Sequence, residues 1–307
     1  MKFLRRWLVA MLALSCLVAC GNSQETSKGE GKGLKIVTSF YPIYAITKAV
    51  SGDLNEVRMI QSGSGIHDFE PSVADVAAIY DADLFVYHSR TLESWAGKLD
   101  PNAQKSKVQV VEASKDISLD RVEGLEDVKV EEGIDEKTLY DPHSWLDPVK
   151  AGEEAEAIAG VLAARDPQHK KVYEDNAKRF KEEANRLVDK YQGLLKGVKE
   201  KTFVTQHTAF SYLAKRFGLV QLGIAGISPE QEPSAKKLSE IQDFLKENHI
   251  RKVFVERNQS SKIAKVLGKS LDAKISVLDP LEADPENEQT YLENLEDNLK
   301  TLVKELK

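Results

Sequence analysis

The chain has 307 residues, of which 41% are hydrophobic, 30% charged and 7% aromatic, with a net charge of −6. This balance excludes a disordered or fibrous chain, and the mixing of Lys and Arg with Asp and Glu excludes nucleic acid as a natural partner. Cys16 and Cys20, both near the N-terminus, are the only cysteines, so the folded body holds neither a disulfide framework nor a cysteine metal site. At roughly 100–200 residues per domain, the length predicts two domains.

The first element is an address. Lys2, Arg5 and Arg6 precede an apolar run from about Trp7 to Ala19. That run is too short for a membrane-spanning helix of ~20 residues and reads as a secretion signal covering residues 1–19. It ends Leu17-Val18-Ala19-Cys20-Gly21, a pattern that resembles a lipobox, in which Cys20 takes the lipid and becomes the new N-terminus. Removal of 1–19 takes away three basic groups and no acidic ones, moving the net charge from −6 to −9. Acyl chains contribute about 0.8 kcal/mol per buried methylene, and two of them anchor stably. Residues 20–33 are polar and rich in Gly and Ser, a flexible tether. The chain is therefore expected on the extracellular face of the cell membrane, attached through lipid alone.

Strands and helices then alternate, which predicts an α/β fold with parallel-type sheets. Strands are expected at Leu34–Phe40, Glu56–Gln61, Leu84–Tyr87 and Val108–Val111, with helices around Ile43–Val50 and Ser72–Tyr80. Asp116–Lys137 is acidic and poor in large apolar residues, a long surface loop of functional or mobile character. Asp166-Pro167 is a helix start, with Asp as cap and Pro at the first position. From there Tyr173, Ala177, Phe180, Ala184, Leu187, Tyr191, Leu194 and Val198 recur in steps of 4 and 3, one apolar stripe on a long charged helix. It reads as a strut packed along two α/β halves. The resulting division is an N-terminal lobe at 34–165, a linking helix at 166–199 and a C-terminal lobe at 200–307. In the last of these, strands are expected at Thr202–Gln206, near Gln221–Ile224, at Lys252–Glu256 and at Lys274–Leu278. Helices are expected at Ala209–Phe217, Ser234–Asn248, Ser261–Ser270 and Tyr291–Leu306.

Of the six histidines, His169 and His249 sit in highly charged helical surroundings and are expected in solvent. His67 lies in a Gly-containing loop after a strand. His143 lies in a turn bracketed by Pro142 and Pro148, just before an expected helix, and His207 at the junction between a strand and a helix. Ligands of open α/β sheets bind outside the carboxyl ends of strands. Three imidazoles and a choice of carboxylates in the acidic loop Asp279–Asp284 thus map to strand ends, a set suited to holding a metal ion. No HExxH or CxxC spacing is present, and no GxSxG elbow follows a strand, so zincins, zinc fingers and serine hydrolases find no support.

The lipobox, the segment Gly65-Ile66-His67-Asp68-Phe69-Glu70-Pro71, the segment Asp141–Pro148 (DPHSWLDP) and the long central helix together resemble the metal-binding solute receptors of bacterial ABC importers (cluster A-I, zinc type). Within that family the chain is similar to the subgroup of Adc zinc-uptake and laminin-binding surface lipoproteins of Gram-positive cocci. The resemblance implies two α/β lobes joined by one long rigid helix, with a single Zn2+ in the cleft between them. It implies His67, His143 and His207 as ligands, with Glu282 as the carboxylate and Asp279 and Asp284 as fallbacks. A third histidine separates zinc receptors from manganese receptors of the same family, and imidazole does suit zinc where oxygen suits manganese. Many zinc receptors carry a histidine-rich loop; here the matching acidic segment has no histidine, as in the laminin-binding subgroup.

His88, after Leu84–Tyr87, is expected to support the site or the fold, and Glu256 either orients a ligand such as His207 or makes a surface ion pair. The function expected is non-enzymatic: a monomeric receptor that captures zinc outside the cell and passes it to an ABC importer permease, with laminin or another matrix glycoprotein as a further partner. The alternatives are a manganese receptor of the same family and a zinc hydrolase, which would need an open coordination position for water.

Overall fold

The computed structural model describes residues 33–61, 63, 65–122, 139–229, 233–257, 262–270 and 273–307. The signal segment, Cys20, the tether up to residue 32 and most of the acidic segment Asp116–Lys137 lie outside the described residues.

Among the described residues the strands form two parallel four-stranded sheets. The first contains β1 (Lys35–Thr38), β2 (Glu56–Met59), β3 (Leu84–Tyr87) and β4 (Gln109–Glu112) in the order β2-β1-β3-β4. The second contains β5 (Thr202–Thr205), β6 (Val220–Gly223), β7 (Lys252–Glu256) and β8 (Lys274–Leu278) in the order β6-β5-β7-β8. The two orders are the same when each sheet is counted from its own first strand, so the chain repeats one topology. All pairings in both sheets are parallel.

Parallel strands covered on both faces become apolar throughout, which is why Leu84–Tyr87 is buried at every position. Side chains alternate between two cores. Ile36, Leu84 and Val86 point to a large central core, and Val37, Phe85 and Tyr87 to an outer one with Ile79 and Trp95. In the second sheet Phe203 and Phe254 join the same central core, and Val204 and Val253 an outer one with Ile224 and Leu245. The inner faces of both sheets therefore bury against a shared layer of helices.

That layer consists of α1 (Tyr41–Ser51), α3 (Pro148–Arg165), α4 (Lys170–Lys196) and α8 (Tyr291–Glu305), which pack on one another. The remaining α-helices among the described residues are α2 (Val73–Asp81), α5 (Ser211–Phe217), α6 (Ala235–Glu247) and α7 (Lys262–Ser270). Helix α3 starts at Pro148, where the sequence places a helix after the His143 turn, and its buried residues include Ala151, Gly152, Ala155, Ala159 and Ala163.

The long helix departs from expectation at both ends. Asp166 does not cap it: α3 closes at Asp166, and a 3-10 turn at Pro167–His169 intervenes before α4 starts. The Asp166 carboxylate instead accepts from His169 Nδ1 at 2.6 Å and from the Tyr173 hydroxyl at 2.6 Å. His169 is thereby paired while its side chain stays 36% exposed, and His249 is exposed. At the other end Leu194 is 48% exposed and Leu195 fully buried. An α-helix drifts about 20° per heptad against a strict 3.5-residue repeat, so the buried stripe moves on by one residue.

Candidate metal centre

Three loops that follow β2, β5 and β8, and the turn that leads into α3, bring His67, His207, Glu282 and His143 together. One potential ligand atom from each lies within 4.8 Å of all the others.

His67 follows β2. Gly65 has φ +88°, a left-handed value that glycine adopts without strain. The turn it allows buries Ile66 in the central core and turns His67, 7% exposed, toward the other three. His143 follows Pro142, and a 3-10 turn at Ser144–Leu146 leads to Asp147, whose side chain caps α3 by accepting from the Val149 N–H at 3.0 Å with Pro148 at the first turn. His207 follows β5; its carbonyl accepts from the Thr205 hydroxyl at 2.7 Å and from Gln221 Nε2 at 2.9 Å. Gly223 faces this turn, and a Cβ there would sit 2.7 Å from the Ala225 carbonyl oxygen and 2.9 Å from the Thr208 nitrogen. Glu282 follows β8 through Asp279-Pro280-Leu281.

The distances suit a tetrahedral cation. Donors about 2.0–2.1 Å from one tetrahedral centre lie about 3.3 Å from each other. Here His67 Nε2 is 3.3 Å from both His143 Nε2 and Glu282 Oε1, and Glu282 Oε1 is 3.1 Å from His207 Nε2 and 3.5 Å from His143 Nε2. All four donors are Nε2 or carboxylate oxygen.

Two carboxylates behind the centre set the imidazoles. Glu256 Oε1 accepts the His207 Nδ1–H at 2.6 Å and the His207 backbone N–H at 3.0 Å. Asp141 Oδ1 does the same for His143, at 2.7 Å and 2.9 Å. Each holds Nδ1 in its protonated form, which leaves Nε2 free to bind metal. Glu256 is buried and bonds His207 rather than making a surface ion pair. The sequence gives Asp141 no role of its own, and its place two residues before His143 is the signal that points to it. His88 lies outside the centre and fully buried. Its Nε2–H donates to the Pro142 carbonyl at 2.7 Å, and its Nδ1 is 3.0 Å from Glu154 Oε1, so it supports the His143 turn from behind. Asp279 pairs with Arg257 at 3.0 Å and Asp284 accepts from the Glu286 N–H, so neither fallback carboxylate joins the group.

Without metal the centre holds protons. Burial opposes charge on His207, but the carboxylates of Glu282 and Glu256 outweigh it and raise the imidazole to about 10. Burial likewise works against charge on His143, and the Asp141 carboxylate overcomes it, raising that ring also. Burial would push Glu282 up, yet the charge on His207 and bonds from the imidazoles hold it well below the usual carboxylate range.

A family model described as "ZnuA: Zinc-uptake complex component A periplasmic" matches residues 36–305. The zinc-binding lipoprotein AdcA of Streptococcus pneumoniae is 40% identical over 304 residues, covering 96% of this chain. The chain spans only 59% of that relative's length. Among solved structures, a Zn(II)-bound variant of AdcAII from S. pneumoniae is 63% identical with a TM-score of 0.85, covering 90% of this chain and 100% of the other. The laminin-binding protein Lmb of Streptococcus agalactiae, described as bifunctional with adhesin and metal-transporting activity, is 61% identical with a TM-score of 0.83 over the same shares.

Proposed function

We infer the function of this chain from its membership: it belongs to the ZnuA family of zinc-uptake components. It captures one zinc ion outside the cytoplasmic membrane and delivers it to an ABC importer, and zinc is its cargo. His67, His143, His207 and Glu282 are the ligands. The observation that carries this reading is the convergence of those four side chains within 4.8 Å. Three imidazoles favour zinc over manganese. Four protein donors fill zinc's preferred shell, leaving no position at which a water is activated, so the role is that of a receptor rather than a hydrolase. Three neutral imidazoles and one carboxylate leave the loaded centre at a net charge of about +1. In this reading residues 34–165 and 200–307 act as the two lobes and 166–199 as the linking helix. Residues 1–19 are removed, and Cys20 carries the lipid that tethers the receptor to the membrane.

Titration of metal-free protein with zinc, against a competing chromophoric chelator, tests the reading. One equivalent binds tightly to the wild type, and His207→Ala weakens binding by at least an order of magnitude. Equal affinity in the variant would remove His207 from the shell. Zinc at about 1,000 times its dissociation constant stabilises the fold by about 4 kcal/mol, so chelation lowers the unfolding midpoint and re-addition restores it.

A second role, adhesion to laminin, is favoured by the likeness to Lmb over that protein's whole solved chain. Binding of zinc-loaded and metal-free protein to immobilised laminin tests it: absence of binding in both forms rejects it.

A further inference from the structure

We propose that Trp145 is a positioning residue that couples His143 to Glu282, holding the imidazole carried by the N-terminal half and the carboxylate carried by the C-terminal half at one spacing without touching the ion. The proposal rests on the zinc-capture reading above.

Trp145 is fully buried. Its ring packs edge-on against Phe40 at 5.1 Å and His88 at 5.0 Å between centroids, and it lies 5.1 Å from the His143 ring. His88 is itself pinned by the Pro142 carbonyl and Glu154. The indole therefore has little freedom on the side facing the first sheet. Its Nε1–H donates to the Pro280 carbonyl at 2.9 Å, two residues before Glu282. The backbone carbonyl of Trp145 accepts from the hydroxyl of Tyr291, the first residue of α8, which follows the Glu282 loop.

The loop it grips is strained. Leu281, between Pro280 and Glu282, has φ +58°, a left-handed conformation that a branched side chain disfavours. Three contacts hold it there: the Leu281 N–H donates to Asp279 Oδ1 at 2.9 Å, the Leu281 side chain is buried in the central core, and the indole binds Pro280. Of the two hydrogen bonds, the indole's is the one that reaches across from the N-terminal half. Other bridges of the same turn, Asp147 to Arg216 and the Asp141 carbonyl to the Tyr212 hydroxyl, run to α5 and not to the Glu282 loop. Strain beside a ligand persists only when its surroundings over-determine it. Release of the Pro280 carbonyl lets the loop relax and withdraws Glu282 from the imidazoles.

A double-mutant cycle on zinc affinity tests this. Trp145→Phe keeps an aromatic ring against His143 and deletes the N–H. It is expected to weaken zinc binding about tenfold, the low end for groups that orient metal ligands. In a Glu282→Gln background the same change is expected to cost less than about twofold, and in a His67→Ala background the full tenfold returns. A purely structural loss would weaken all three backgrounds alike. Unchanged affinity in Trp145→Phe, or equal losses with and without the Glu282 carboxylate, overturns the coupling. If Trp145→Phe does not fold, as judged by circular dichroism, benzothienylalanine at position 145 keeps the indole shape with sulfur in place of N–H, and the same outcomes apply. A wild-type chain that takes up no zinc overturns the capture reading and this proposal together. A wild type that binds zinc while the cycle is additive overturns the coupling alone.

Discussion

Glu256 binds His207 twice through one oxygen, taking the ring Nδ1–H at 2.6 Å and the backbone N–H at 3.0 Å. The imidazole is thus tied to its own main chain, and neither its rotation nor its tautomer is free. Glu256→Gln keeps the size and removes the charge. Zinc affinity should fall about 10–100-fold, with little change in the far-ultraviolet circular dichroism. Asp141→Asn should act in the same way through His143. A Glu256→Gln variant with wild-type affinity would show that the carboxylate merely fills space.

The proton on His207 sets the pH dependence. In the metal-free protein this imidazole titrates near 10, so at neutral pH zinc must displace a proton to reach Nε2. Apparent affinity should rise with pH, up to about tenfold per unit for each proton displaced. Calorimetry in buffers of different ionisation enthalpy should register the release. The folded-state value lies above the unfolded value of ~6.5. Its contribution to metal-free stability is therefore complete below that pH and is lost as pH rises through about 10. Zinc affinity that is flat between pH 6 and 8 would refute this account.

The face that α4 buries can be read by two neighbouring leucines. Leu195 is fully buried and Leu194 is 48% exposed. Leu195→Ala should cost about 2–5 kcal/mol in urea unfolding, and Leu194→Ala no more than about 0.5 kcal/mol. Reversal of the two costs would restore the strict heptad stripe.

Gly223 admits the close approach of the His207 turn. A Cβ at this position meets the Thr208 nitrogen and the Ala225 carbonyl inside normal contact distance. Gly223→Ala should cost about 1–3 kcal/mol through overpacking. It should also weaken zinc binding, because the displaced turn carries a ligand. Loss of stability with unchanged zinc affinity would separate the turn from the site.

By itself the sequence determined the alternation of strands and helices, because apolar runs such as Leu84–Tyr87 and Val253–Val255 are bounded by polar residues and need no distant partner to be recognised. It also pointed to His67, His143 and His207 as residues at strand ends, and the likeness of its Asp141–Pro148 and Gly65–Pro71 segments to a known family pointed to Glu282. Only tertiary structure decided that these four, spread over more than two hundred residues, share one centre, that Asp279 and Asp284 do not, and that Asp141 and Glu256 stand behind two of the rings. It also decided the start of α4 and the drift of its buried face, since a cap and a stripe are settled by what packs against them. The physical reason is range: hydropathy and turn chemistry act between neighbours in the chain. Coordination depends on distances of about 3 Å between side chains that only the packing of two sheets against one helical layer brings together.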